Sequence, residues 1–179
     1  MNYENIYLWV YGKGWVLFEN PTEQDFEDRG IKIGSGVKIG TGTMIGNDVK
    51  IGNNTVISND VRINNNAKIG PEVKIGDNTV IGSGVDLGSS AEIGSDGDIG
   101  NDVKIGSAAK ISNDINISND VEIGYGTKIG DGANIFYNAV IGDDAKIGND
   151  VIIGEGAIIC DGAKIDDYVV VGEYLKISA

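Results

Sequence analysis

Proton transfer at neutral pH most often relies on imidazole, and this chain contains no histidine. A Ser–His or Cys–His nucleophilic pair therefore cannot form, and neither can a metal site built on ring nitrogens. The one thiol, Cys160, lies between Ile159 and Asp161, with no basic residue beside it to favour the thiolate. A structural role is expected for it, and a lone cysteine excludes an internal disulfide. What remains is oxygen and amine chemistry, with 27 Asp and Glu against 14 Lys and Arg. Two series carry the oxygens: Asp60, Asn78, Asp96 and Asp114 in one, Asp102 and Asp120 in the other. Such side chains ligate hard divalent cations, and they are also the residues that bend a backbone.

A repeat positions these groups. From Ile33 to Ile177 an aliphatic residue returns at every sixth position, 25 times, and only Leu87 and Val171 are not Ile. Four residues after each comes a smaller residue such as Val37, Thr43, Val49, Thr55, Val61, Ala67 or Val73. The unit is I-G-x-x-[VTA]-x, as in Ile45–Gly46–Asn47–Asp48–Val49–Lys50. Val49 and Ile51 point one way and Lys50 the other, the alternation of a strand. Gly52, Asn53 and Asn54 then turn the chain. The β-branched residues and the frequent glycines exclude helix. Strands this short must stack to bury their aliphatic face, so the repeat predicts a solenoid. Gly, Asn and Asp concentrate three residues after each core Ile, the set that a left-handed backbone position accepts. Glu72, Ala108, Tyr168 and Tyr174 depart from that set and are expected to be strained.

This pattern resembles the hexapeptide repeat of left-handed parallel β-helix proteins, a family that includes bacterial acyltransferases and γ-class carbonic anhydrases. The resemblance covers residues 31–179. It implies an all-β, left-handed parallel β-helix solenoid of three hexapeptides per coil and about eight coils. Residues 18 apart then stack, and eight coils at about 4.8 Å each make a prism roughly 40 Å long. The resemblance also implies a homotrimer. The family's usual general base is a His and its carbonic anhydrases bind metal through three His, so neither set transfers to any position here.

Stacking aligns the carboxylates Asp96 with Asp114 and Asp102 with Asp120. A divalent-cation ladder is one reading of these columns. Residues that turn and cap their own backbone is the other, and it is preferred. Lys110, Lys128, Lys146 and Lys164 stack on one outer face, expected to interleave with the acidic corners rather than hold an anion. A second outer face reads Met44, Arg62, Val80, Asp98, Asn116, Asn134, Ile152 and Val170, with no Lys. Its aliphatics Val80, Ile152 and Val170 mark it as the expected interface between copies.

Residues 1–30 differ in composition and are read as an N-terminal cap with a short helix, ahead of the β-helix at 31–179. Seven aromatics lie there, from Tyr3 to Phe26. Asn20–Pro21–Thr22–Glu23 reads as a helix start, with Asn as cap and Pro in the first turn. Val10 and Val16, six apart, hint at one degenerate coil. At the other end, the strand at Ile177 leaves an edge expected to accept a neighbouring chain.

Net charge of −13 argues against a nucleic-acid partner. The apolar residues alternate, so no membrane span is expected, and Met1–Asn2–Tyr3–Glu4 lacks the basic start of a leader. A cytoplasmic location follows as the expectation. The functional expectation is a non-enzymatic structural or assembly module without cofactor. The alternative is an atypical CoA-dependent acyltransferase that binds acyl-CoA.

Overall fold

Each hexad supplies two inward aliphatics flanking one outward residue, which commits two residues to strand and the rest to a turn. The computed structural model describes residues 3–179. Met1 and Asn2, the start of the stretch read as lacking a leader, lie outside them. From Lys32–Ile33 to Lys176–Ile177, two-residue strands recur every six residues. They stack in parallel into three sheets of eight, eight and nine such strands, and two further strands from the N-terminal segment bring one of the sheets to ten. Residues 18 apart are partners throughout, as in Lys50 with Lys68 and Ile51 with Ile69. The arrangement is a three-sided parallel solenoid of about eight turns, consistent with the left-handed coil that the resemblance implies.

The sheets close by regular hydrogen bonds between coils. Lys32 N donates to Val49 O at 2.9 Å and Gly34 N to Ile51 O at 2.8 Å, and the pattern repeats along the chain. The core is a stack of aliphatics: Ile45, Ile63, Ile81, Ile99, Ile117, Ile135 and Ile153 are each 0% or 1% exposed. Burying each such side chain is worth about 1.5–3 kcal/mol. Four threonines are also fully buried. They are tolerated because each hydroxyl donates to a carbonyl, Thr79 to Gly94 O at 2.8 Å and Thr127 to Gly142 O at 2.7 Å.

The left-handed turn positions are filled as the repeat requires. Asp48, Asn54, Asp60 and Asn66 have φ of 59°, 58°, 56° and 63°. The four expected exceptions are there too: Glu72, Ala108, Tyr168 and Tyr174, at 62°, 57°, 62° and 55°. Ser90, at 59°, is a fifth that the pattern alone did not single out.

The cap corrects two expectations. Val10 and Val16 do not form a coil. They belong to an antiparallel hairpin of β1 (Ile6–Val10) and β2 (Gly14–Phe18), because Gly12 and Gly14 adopt φ of 77° and 78° and reverse the chain. Strand β1 then pairs in parallel with Met44–Ile45, so the hairpin extends the ten-stranded sheet. The short helix α1 (Glu23–Glu27) exists, but Thr22 caps it rather than Asn20. Thr22 Oγ1 accepts from Asp25 N while Asp25 Oδ2 accepts from Thr22 N at 2.8 Å, a reciprocal box that Asn20 is too far upstream to make. Phe26 is buried and packs edge-on against Tyr3, ring centroids 5.9 Å apart. Just past α1, Arg29 O accepts from Asp48 N at 2.8 Å and Gly30 has φ of 67°. The cap thus imitates a coil corner and continues the stack. No helix among the described residues is long and apolar enough to cross a membrane.

Candidate functional site

The turn residues are largely occupied by the fold itself. At many corners, a side-chain oxygen two positions after a core Ile accepts the backbone N–H of the residue 18 earlier. At one corner this runs without a gap: Thr41 N to Asn59, Asn59 N to Asp77, Asp77 N to Ser95. It continues from Ser95 N to Asn113, Asn113 N to Asp131, Asp131 N to Asn149 and Asn149 N to Asp167. These residues stand one position before the carboxylates singled out from the sequence, and they do not cap their own backbone. Each caps the coil before it.

The cation candidates occupy the next position of the turn. Asp96, Asp102, Asp114 and Asp120 all have positive φ, from 56° to 60°. Asp96 Oδ1 accepts from Asn78 Nδ2 at 3.2 Å. Among the described residues, no group of three or more His, Cys, Asp or Glu is arranged to hold a metal ion. Cys160, half-buried and unpaired, stands at the turn position usually held by Gly. Its N–H donates to Ile177 O at 2.8 Å.

The charged side chains are partitioned by face. Every lysine from Lys32 onward projects from the eight- or nine-stranded sheet. On the eight-stranded sheet Glu92 bridges Lys74 at 2.9 Å and Lys110 at 3.3 Å, and these two ammonium groups hold its carboxyl below the usual carboxylate range. On the nine-stranded sheet Lys104 pairs with Glu122 at 2.6 Å, which raises the lysine's affinity for its proton. The column Lys110, Lys128, Lys146 and Lys164 is aligned as expected. The expected interleaving with acidic corners holds only for Lys164, which meets Asp166 at 3.0 Å. Lys110 pairs within its own column, and no described acidic residue forms an ion pair with Lys128 or Lys146.

The ten-stranded sheet, hereafter the hairpin face, has a different surface. Its outward column runs Met44, Arg62, Val80, Asp98, Asn116, Asn134, Ile152 and Val170. The hairpin lengthens it with Tyr7, Trp9, Trp15 and Leu17, residues of the N-terminal segment. Trp9 and Trp15 meet edge-on with centroids 5.3 Å apart, and the Arg62 guanidinium lies 5.4 Å from the Trp15 ring. Leu17, Ile152 and Val170 are 44%, 37% and 66% exposed. This face brings the expected interface residues Val80, Ile152 and Val170 into one file with the aromatic end. The alternation of Ile6, Leu8 and Val10 before Gly12 was the sequence signal for the added strands.

Apart from the faces, a cavity of about 670 Å³ opens between α1 and the first coil, bordered by Tyr3, Phe26, Ile31 and Ile33 with Glu23 and Glu27 at its rim. Burial pushes the Tyr3 phenol above its ordinary range.

The bacterial transferase hexapeptide (six repeats) family model matches residues 30–65, 54–85, 126–160 and 144–179, more than half the chain. Among solved structures, a UDP-N-acetylglucosamine O-acyltransferase from Moraxella catarrhalis is 26% identical, with a TM-score of 0.52 over 84% of this chain and 63% of that one. A UDP-N-acetylglucosamine acyltransferase from Campylobacter jejuni is 23% identical, with a TM-score of 0.46 over 79% of this chain and 65% of that one. PerB from Caulobacter crescentus is 19% identical, with a TM-score of 0.40 over 75% and 54%. This chain therefore spans less than two thirds of the length of each. No curated protein matches the sequence.

Proposed function

We propose that this chain, which belongs to the bacterial transferase hexapeptide family, works as a rigid assembly module whose operating surface is the hairpin face. The observation that carries this reading is the partition of charge. Lysines crowd two faces of the prism, while the third bears apolar residues, asparagines, one Arg and one Asp. Like-charged faces repel their own copies, so self-association favours the third. Trp, Tyr and Arg at its hairpin end are the residue types that carry most of the energy of protein interfaces. Ile152→Lys places a charge in the apolar far end and is expected to shift the sedimenting species toward monomer. A variant with unchanged mass at equal concentration would remove this reading.

A second reading is acyl transfer from a CoA-type donor at a cleft between subunits. The family and the likeness to the Moraxella acyltransferase favour it. With no imidazole in the chain, a carboxylate or the substrate itself must then act as base. Asp25 and Glu92 are held below the ordinary carboxylate range, Asp25 by its bonds from Thr22 and Glu92 by its lysines, which weakens both as bases. Incubation with acetyl-CoA and a panel of amines and sugar nucleotides separates the two readings. The module reading expects thiol release at background, and sustained turnover overturns it.

A further inference from the structure

The hairpin face carries two charged residues in its outward column, and their positions are symmetric. Arg62 pairs in register with Val80 on one side, and Asp98 pairs with Val80 on the other. The two charges therefore sit one rung above and one rung below Val80, about 10 Å apart. Both are exposed. Among the described residues neither takes part in an ion pair, although five such pairs form on the other faces or their flanking turns. Arg62 is already directed by its bond to Asn64 Oδ1 at 3.2 Å and by the Trp15 ring.

The geometry points to a second copy of this chain as the occupant of the face, packed antiparallel about a two-fold axis through Val80. This rests on the hairpin face being the operating surface. Turning one copy by 180° about the strand direction at Val80 sets Arg62 against Asp98 of the other copy, twice over. The same operation sets Met44 opposite Asn116. It also sets β2, with Trp15 and Leu17, opposite Ile152, so each apolar end meets an apolar end. Nine overlapping rungs give a contact roughly 40 Å by 15 Å, on the order of 600 Å² per copy, at the lower edge of specific interfaces. A parallel arrangement, including one around a three-fold axis along the solenoid, keeps Arg62 and Asp98 of neighbouring copies at different levels and does not pair them. The acidic corner beside the face does bring Asp60 toward Asp96 of the other copy, but at a solvated rim where salt screens the repulsion.

Charge reversal in the full chain tests the inference by sedimentation. Arg62→Glu and Asp98→Arg are each expected to weaken self-association at least tenfold, and the double variant to recover most of it. Both sites are exposed, so circular dichroism and melting should match the parent protein. A second, independent readout uses Val80→Cys in a Cys160→Ser background, which is expected to yield a disulfide-linked dimer on mild oxidation. A parent protein that stays monomeric overturns the inference, and so do single reversals that leave association intact or a double variant that is not rescued. If the parent associates and Ile152→Lys weakens it while the reversals do nothing, the face survives and the antiparallel pairing does not.

Discussion

Single side chains in this fold are judged by the backbone position they hold. Tyr168 sits at φ of 62° with its ring 75% exposed, a conformation that costs a non-glycine residue about 1 kcal/mol. Tyr168→Asn is expected to raise the melting temperature by about 2–4 °C, measured by calorimetry. A lower melting temperature would mean that the ring is covered by another molecule. Tyr174 is at the same kind of position, and its ring lies over Gly156, where an added Cβ would meet ring carbons at 2.5 Å. Glu92 is a different case, since its worth depends on pH. Two lysines depress its folded pKa, so its stabilising contribution is full above the unfolded carboxylate range and fades as pH falls through the folded value. The parent should therefore exceed Glu92→Gln in stability at pH 7, by a margin no larger than about 1 kcal/mol, and the margin should vanish in acid. Equal denaturation midpoints at pH 7 would remove the bridge as a stabiliser.

At the scale of the element, the coil is held by its core rung and its corners. Ile99 is 1% exposed between Ile81 and Ile117, and Ile99→Ala is expected to cost about 2–5 kcal/mol in urea unfolding. A corner is worth less per contact. Asn113→Ala removes the acceptor for Ser95 N and should cost about 1 kcal/mol, whereas Asn113→Asp keeps an oxygen there and should cost little. Equal losses for the two would mean that the corner ladder adds nothing. The coils were legible because the repeat states period, facing and turn together: Val49 and Ile51 inward, Lys50 outward, Asn54 left-handed. The corner bonds were not, since a side chain reaching 18 residues back leaves no local trace. The cap was only half legible. Its helix declared itself through Asn20–Pro21–Thr22–Glu23, although Thr22 rather than Asn20 is the cap, and the hairpin competes with a six-residue spacing of Val10 and Val16 that occurs by chance. The hairpin face was read through Val80, Ile152 and Val170, while the place of Trp9 and Trp15 depended on β1 pairing with Met44–Ile45.

The whole molecule is a prism with unlike sides, and its N-terminal hairpin extends one sheet. Through β1, the N-terminal segment pairs with the edge of the Met44–Ile45 strand, and Phe26 is buried in the common core. Removing residues 1–30 should expose that edge and drive the chains into end-to-end fibres visible by electron microscopy, while the intact chain stays a discrete particle. A truncated protein that remains discrete would show that the hairpin serves only the face.

The 18-residue register also governs which changes of length the chain can absorb. Adding one full coil lengthens the prism by about 4.8 Å and returns each outward residue to its own column. Adding a single hexad after Asn101 would keep the aliphatic rungs stacked, yet it turns everything downstream by a third of a revolution. The column of Lys110, Lys128, Lys146 and Lys164 would then occupy the hairpin face, and Ile152 and Val170 would leave it. The chain is indexed like a screw thread: whole revolutions add length, and fractions exchange one surface for another.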